Sequence, residues 1–177
     1  LGQAAKDGLL TVEDRAGMIS DAGALAASGY GKTSGVLNLL KGFSEEKEFI
    51  VWSEIISRLG AVRGTWTFED QKIQDGLETF QRDLVSDLAH KAGWEFKDSD
   101  DHLEQQFKGL LFGSAGMSGD KVVIKAAQDM FAKFAEGNSS AIHPNIRGSV
   151  YGINLKYGGA KEVCLTKVIM RFYANDF

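Results

Sequence analysis

The chain has 177 residues, a net charge of −4 at pH 7, and ordinary shares of apolar (44%) and charged (25%) residues. This length and composition are typical of one globular domain with a sizeable core. The negative charge argues against a nucleic-acid-binding surface, which needs clustered Lys and Arg. The apolar runs are only a few residues long, so we expect no membrane span and no membrane partner.

Helices in the first half are predicted from caps and apolar spacing. Thr11 is predicted to cap the first helix, with Asp14 completing a variant of the capping box. Thr33 is predicted to begin a short second helix. Ser44, followed by two glutamates suited to a helix N-terminus, is predicted to open the helix that carries Trp52.

The clearest periodicity runs over about 68–92, where apolar residues recur every three or four positions on one face. Further helices are predicted over about 101–117, 120–136 and 144–157. Pro144, the only proline, is predicted in the first turn of the last of these, where its missing N–H costs nothing.

Glycine is abundant and often stands where a helical pattern stops, as expected for residues that tolerate the left-handed backbone. These glycines are Gly29, Gly42, Gly60, Gly64, Gly93, Gly119, Gly137 and Gly158. Their spacing predicts seven or eight helices with short loops.

The predicted fold is all-α, with antiparallel helix pairs stacked in a HEAT- or armadillo-like α-α superhelix rather than a closed bundle. No internal linker is long enough to mark a boundary, so residues 1–177 are predicted to form a single helical-repeat domain.

The residues supply little chemistry of their own. A zinc peptidase needs the pattern H-E-x-x-H, which none of the histidines forms, so solvated or capping roles are expected for them. The histidines are His90, His102 and His143.

Cys164 is the single cysteine, which excludes an internal disulfide, and its apolar helical setting predicts a buried, inert thiol. The acidic run of Glu45, Glu46 and Glu48 could bind a cationic partner, but it is interpreted as a solvated helix face.

Two short segments resemble ligand loops but lack required residues. Residues 31–33 match the end of a phosphate-binding loop, without its first glycine, and residues 98–101 match the start of a calcium loop, without its central glycine and closing glutamate. The first is interpreted as a turn with a helix cap. The second is interpreted as a solvated loop with an acid capping the next helix.

Four motifs occur in a fixed order, and together they cover most of the chain. They are V-E-D-R-A-G at 12–17 extending through D-A-G-A-L-A at 21–26, E-F-I-V-W-S at 48–53, L-A-H-K-A-G-W at 88–94, and N-I-R-G-S-V-Y at 145–151. They resemble the C-terminal helical domain of M1-family zinc aminopeptidases, in particular the puromycin-sensitive type. Gly23, Asn145 and Gly148 depart from the family pattern.

The resemblance implies a bowl-shaped superhelix that faces a zinc-containing catalytic domain and encloses a chamber for peptide substrates. It implies that the zinc ligands and the catalytic residues lie in upstream domains. This chain would then hold no cofactor and be inactive alone, with zinc in the parent enzyme. Its partners would be the upstream catalytic domain and, in the intact enzyme, the peptide substrate. A cytoplasmic location is expected from the similar cytosolic members, although secreted members exist.

The first residue, Leu1, leads us to expect a piece of a larger C-terminal domain, with further helices after Phe177. A solenoid cut in this way exposes apolar stripes, so self-association or mobile ends are expected.

Arg147 and Tyr151 are the candidate substrate-binding residues, because positions four apart share a helix face. In the alternative interpretation, Arg147 pairs with an acid such as Asp101 or Asp129, and Tyr151 packs inside.

Three residues are assigned structural roles. Asp14 and Arg15 would act through capping and inter-helix pairing, and Trp52 through core packing.

Two functions remain open at this point. One is a non-catalytic segment of an aminopeptidase that forms the wall or lid of the substrate chamber. The other is a helical-repeat scaffold that binds protein partners and belongs to no enzyme. An H-E-x-x-H motif encoded upstream of Leu1 would distinguish the first from the second.

Overall fold

A computed structural model of the protein describes residue 4 and residues 7–174, with side chains as far as residue 167. Residues 7–174 contain α-helices and two short 3-10 helices, at Ser139–Ala141 and Pro144–Ile146. The α-helices are α1 (Val12–Ala27), α2 (Thr33–Lys41), α3 (Phe49–Thr65), α4 (Gln71–Ala92), α5 (His102–Met117), α6 (Lys121–Ala135), α7 (Arg147–Tyr157) and α8 (Ala160–Ala174). No β-strand occurs in this range, which confirms the all-α prediction.

The chain divides into two compact units, residues 1–84 and 85–177, and the division falls inside α4. In the first unit, α1 packs against both α2 and α3. In the second unit, α7 packs against α5, α6 and α8. The expectation of a single domain stays a prediction, as does the superhelix. None of the helices in the described range is long and apolar enough to cross a bilayer.

The first unit is built on an apolar face of α3. Val51, Trp52, Ile55 and Leu59 recur at helical spacing and are all buried. Ile19 of α1 is also buried in this unit. Burying such side chains supplies about 1.5–3 kcal/mol each, so this face fixes where α1 lies.

The second unit depends on a close approach between α5 and the segment that contains α7. Gly109, Gly113 and Gly116 are spaced by four and three residues, so they share one face of α5. A Cβ atom at Gly109 would lie 3.0 Å from the carbonyl oxygen of Asn145, and one at Gly113 would lie 2.6 Å from Ser149 Oγ. Larger residues would therefore push the two segments apart.

Helix boundaries differ from the predictions at three places. The segment predicted as one helix over 144–157 is a 3-10 helix at Pro144–Ile146 followed by α7, which begins at Arg147. The long helix α4 begins at Gln71 rather than Phe68, whose side chain is 99% exposed and packs against nothing that would extend the helix. Helix α3 begins at Phe49 rather than near Ser44, because Glu46 holds the preceding turn through its own hydrogen bonds.

Several glycine predictions were right, and two were wrong. Positive φ angles occur at Gly29, Gly93, Gly119 and Gly137, each just beyond a helix. Gly60 and Gly64, by contrast, lie inside α3 and do not end it. The predicted burial of Cys164 was also wrong, since its thiol is exposed on α8.

Candidate functional site: the groove beside α1

The motif residue Arg15 pairs with Glu46, the acid that precedes the second motif. Arg15 Nε lies 2.7 Å from Glu46 Oε2, and Arg15 Nη2 donates to Glu46 Oε1 at 3.2 Å. The contact is bidentate, and both side chains are largely shielded from solvent. It connects α1 with the turn that leads into α3.

Glu46 also organises its own turn. Its Oε1 atom accepts hydrogen bonds from the amides of Lys47, at 2.8 Å, and Glu48, at 3.0 Å, and its carbonyl accepts from Trp52 Nε1 at 2.9 Å. Burial opposes ionisation of Glu46, but the hydrogen bonds from Arg15 and the two amides outweigh it, so the pKa of this carboxyl lies below its ordinary value. The interpretation of the acidic run as a solvated face was therefore wrong for Glu46.

Arg15 and Asp14 together fix the chain segment before α1. Arg15 Nη1 donates to the carbonyl of Leu10 at 2.8 Å. The Thr11 hydroxyl accepts from the Asp14 amide, and Asp14 Oδ2 accepts from the Thr11 amide, each at 3.1 Å, which forms a capping box. The backbone on either side of Thr11 is thus held by side chains from the first turn of α1.

This fixed segment borders an open groove of about 670 Å³, which we call the α1 groove. Its lining residues come from α1, the segment before it, and α2: Leu10, Glu13, Asp14, Gly17, Met18, Asp21, Ala22, Leu25 and Leu39. These described lining residues are apolar except for three acids, and none of them is basic. Clefts of this size commonly hold small ligands.

Two of the three acids are available for a ligand. Asp14 is engaged in the capping box. Glu13 and Asp21 are exposed and have no hydrogen bond or ion pair with another described residue. The groove therefore offers two exposed carboxylates without hydrogen-bond or ion-pair partners among the described residues, beside an apolar surface. Sequence reasoning missed this groove, because its walls meet only after α1 and α2 have packed.

The candidate substrate-binding residues lie in the second unit, on α7. Tyr151 is 7% exposed, and its ring packs against Phe131 and Phe134 of α6, with ring centroids 6.1 and 6.3 Å away. Arg147 is half-buried at the start of the helix. The packing of Tyr151 matches the alternative interpretation, and the substrate contact stays a prediction.

The two acids suggested as partners for Arg147 have other contacts. Asp101 caps α5 in a capping box with Glu104, as expected for the loop that resembled a calcium site. Asp129 pairs with Lys125 on its own helix.

The loop before α5 also contains Asp100. The Lys108 ammonium and the Lys97 amide hold the pKa of Asp100 below its ordinary value.

The histidines have separate local roles. His90 Nε2 lies 3.0 Å from Asp120 Oδ2, His102 contacts Gln106, and His143 stacks on Phe96 with ring centroids 3.9 Å apart. His143 Nδ1 also accepts from the Asn145 amide, which is a capping role. Among the described residues, no three His, Cys, Asp or Glu side chains are grouped so that they could hold a metal ion. The residues of this part of the chain do not fit a zinc site.

Comparison with known proteins identifies the family. Residues 1–175 match the family described as the ERAP1-like C-terminal domain. The chain is 45% identical to Aminopeptidase 2 of Candida albicans over 161 residues, which are 91% of this chain and 17% of that protein. It is 42% identical to mitochondrial Aminopeptidase 2 of Saccharomyces cerevisiae, over 92% of this chain and 17% of the relative.

A more distant relative is glutamyl aminopeptidase of Bos taurus, 31% identical over 82% of this chain and 15% of that protein. The chain thus spans about one-sixth of the length of the relatives it matches. The resemblance to the puromycin-sensitive type in particular stays a prediction. The chain belongs to the ERAP1-like C-terminal domain family, the C-terminal domain of M1 aminopeptidases.

Proposed function

We propose that this chain is a non-catalytic segment of a zinc metallo-aminopeptidase, in which it forms part of the wall or lid of the substrate chamber. The parent enzyme would remove N-terminal residues from peptides. The observation that carries the proposal is the family match over residues 1–175, together with relatives whose names are all aminopeptidases. The scaffold alternative has no comparable support.

The residues of the chain support a non-catalytic role. The sequence contains no H-E-x-x-H pattern, and the histidines serve local contacts on separate elements. Zinc would therefore be held by another part of the parent protein, where it supplies Lewis-acid chemistry to peptide hydrolysis. What these helices contribute is a rigid surface. Enclosing a substrate peptide excludes water from it and orients it for cleavage.

The experiment compares this chain with the parent polypeptide, using an aminoacyl p-nitroanilide as reporter. We expect the parent to cleave the reporter, to lose activity with a chelator and to regain it with Zn²⁺, whereas this chain alone shows no cleavage. Zinc-dependent cleavage by the isolated chain would overturn the proposal. So would a parent that folds, binds Zn²⁺ and cleaves no N-terminal residue.

The role in the chamber wall is tested through Arg147 in the parent protein. If Arg147 contacts the substrate, Arg147→Ala raises KM for a long peptide by about tenfold, the effect of losing one charged hydrogen bond, and leaves KM for the small reporter unchanged. Lys133→Ala, at an exposed position of α6, is the control. Equal effects on both substrates would mean that Arg147 acts on the fold rather than on the peptide.

A further inference from the structure

We propose that the α1 groove binds short basic peptides. It would hold an apolar side chain against Met18, Ala22 and Leu25, and a neighbouring Lys or Arg beside Glu13 and Asp21. The source of the peptide rests on the proposed function, since the parent aminopeptidase would meet peptide substrates and products. The chemistry of the ligand is argued from the groove itself.

The charge of the groove favours a cation. Glu13 and Asp21 lie two turns apart on the exposed side of α1, and neither makes a hydrogen bond or an ion pair with another described residue, although the charge of Arg15 acts on Glu13. None of the lining residues in the described part of the chain is basic. An Arg or Lys placed here would gain attraction from both carboxylates and would displace no existing partner.

The apolar part of the groove favours an apolar side chain next to that cation in the peptide. Leu25 is 52% exposed, and Met18 has a flexible thioether that adapts to ligands of different shape. The space next to Gly17 is open, because a Cβ atom at this residue would meet nothing within 4 Å. A peptide can therefore approach the backbone of α1 closely at this point.

The groove is held in place before any ligand arrives. Leu10 is fixed through its carbonyl by Arg15. Asp14 is fixed by the capping box. Residues whose positions are already set lose little conformational entropy on binding, which favours affinity for a small ligand. A groove of about 670 Å³ has room for a few side chains of a short peptide.

The test uses this chain and a dye-labelled, N-acetylated hexapeptide, Arg-Leu-Phe-Arg-Gly-Gly. Acetylation blocks the free amine, so binding cannot report aminopeptidase chemistry. Fluorescence anisotropy measures the dissociation constant. We expect binding that weakens as NaCl rises from about 0.05 M to about 0.5 M, and no binding of the counterpart with Glu in place of both Arg.

Two variants locate the site. Gly17→Leu should weaken binding by about tenfold or more, because its side chain fills the groove, and it should not harm folding, since leucine is a better helix former than glycine. The double variant Glu13→Gln with Asp21→Asn should weaken binding by about tenfold through loss of two attractive charges. Gly60→Leu is the matched control, because Gly60 also lies in a helix, on α3, with open space at its Cβ.

Any of three results would overturn the inference: no binding up to millimolar peptide, equal binding of the acidic counterpart, or unchanged affinity in Gly17→Leu. A different outcome would assign the groove to a second copy of the chain. In that outcome the peptide does not bind, and sedimentation shows that the chain self-associates but that the variants of Gly17, Glu13 and Asp21 do not. Because the assay needs no catalysis, an inactive parent would overturn the proposed function and leave this inference standing.

Discussion

Arg15 and Glu46 are 31 positions apart in the sequence, and their side chains meet in a bidentate contact. The first lies in the motif V-E-D-R-A-G, and the second precedes the motif that contains Trp52. One ion pair therefore joins the first motif to the turn that leads into the second. The contact holds the start of α1, and with it one edge of the α1 groove, against the turn before α3.

The first prediction concerns this pair. Glu46→Gln should lower the free energy of unfolding by about 1–3 kcal/mol, since it removes the charged partner that the shielded Arg15 guanidinium contacts directly. Urea denaturation followed by circular dichroism measures the change.

The control is Lys125→Met, which removes an exposed ion pair between Lys125 and Asp129. It should cost less than about 1 kcal/mol. If Glu46→Gln and Lys125→Met prove equally mild, the Arg15–Glu46 contact does not hold α1 in place.

The second prediction is a loss of stability in acid that depends on Glu46. Its folded pKa is depressed, so the unfolded chain binds the proton more readily, and stability rises with pH in this range. The contribution is fully present above the unfolded pKa of about 4.3, and it is lost as the pH falls through the lower folded pKa.

Urea denaturation between about pH 7 and pH 3 tests this, with Glu46→Gln as the comparison. The variant should show a flatter dependence of the free energy of unfolding on pH. Parallel curves for the two proteins would exclude Glu46 as a source of the acid sensitivity.

Local features of the fold were predictable because they are determined within a few residues. The capping box of Thr11 and Asp14 is visible in the sequence, as is the acid that caps α5 at Asp101. The helices over 102–117 and 121–135 lie within one residue of their predicted bounds at either end. Each depends on hydrogen bonds or apolar contacts between positions no more than four apart.

Features that depend on distant contacts were not predictable. Nothing in the neighbouring sequence separates Glu46 from the acids beside it, because its partner, Arg15, lies on α1. Gly60 and Gly29 look alike in the sequence, and only the packing of α3 shows that the helix continues through Gly60. Cys164 follows an apolar pattern, but its side of α8 is exposed.

The third prediction concerns the close packing of α5 and α7. A Cβ atom at Gly116 would overlap the side chain of the buried Ile153 and would lie 3.2 Å from Val123 Cγ1. Gly116→Ala should therefore cost about 1–3 kcal/mol through overpacking, despite the better helix propensity of alanine. Gly60→Ala, with open space at its Cβ, should instead stabilise the protein by about 0.5–1 kcal/mol.

A double variant locates the clash. Ile153→Val removes the Cδ1 atom, which is the nearer of the two Ile153 atoms that the new Cβ would overlap, at a cost of about 0.5–1.5 kcal/mol alone. The double variant with Gly116→Ala and Ile153→Val should lose less free energy of unfolding than the sum of the losses in the two single variants. Strict additivity in urea denaturation would show that the alanine is accommodated in some other way.

The last prediction separates two roles of Asp120. Its Oδ1 atom accepts from the amides of Val122 and Val123 at the start of α6, and its Oδ2 atom contacts His90 of α4. Burial opposes its ionisation, but the side chains of Ser86 and His90 and the Val123 amide outweigh it, so the pKa of Asp120 lies below its ordinary value.

Asp120→Asn keeps an oxygen for the cap and removes the charge, whereas Asp120→Ala removes both. Because the cap satisfies two otherwise unpaired amides, the alanine variant should be less stable than the asparagine variant by about 1–2 kcal/mol. Urea denaturation at neutral pH measures the difference. Equal stability of the two variants would mean that the contact with His90, rather than the cap, is what Asp120 contributes. In that case His90→Ala should match both of them, because it removes the same contact while leaving the cap of α6 intact.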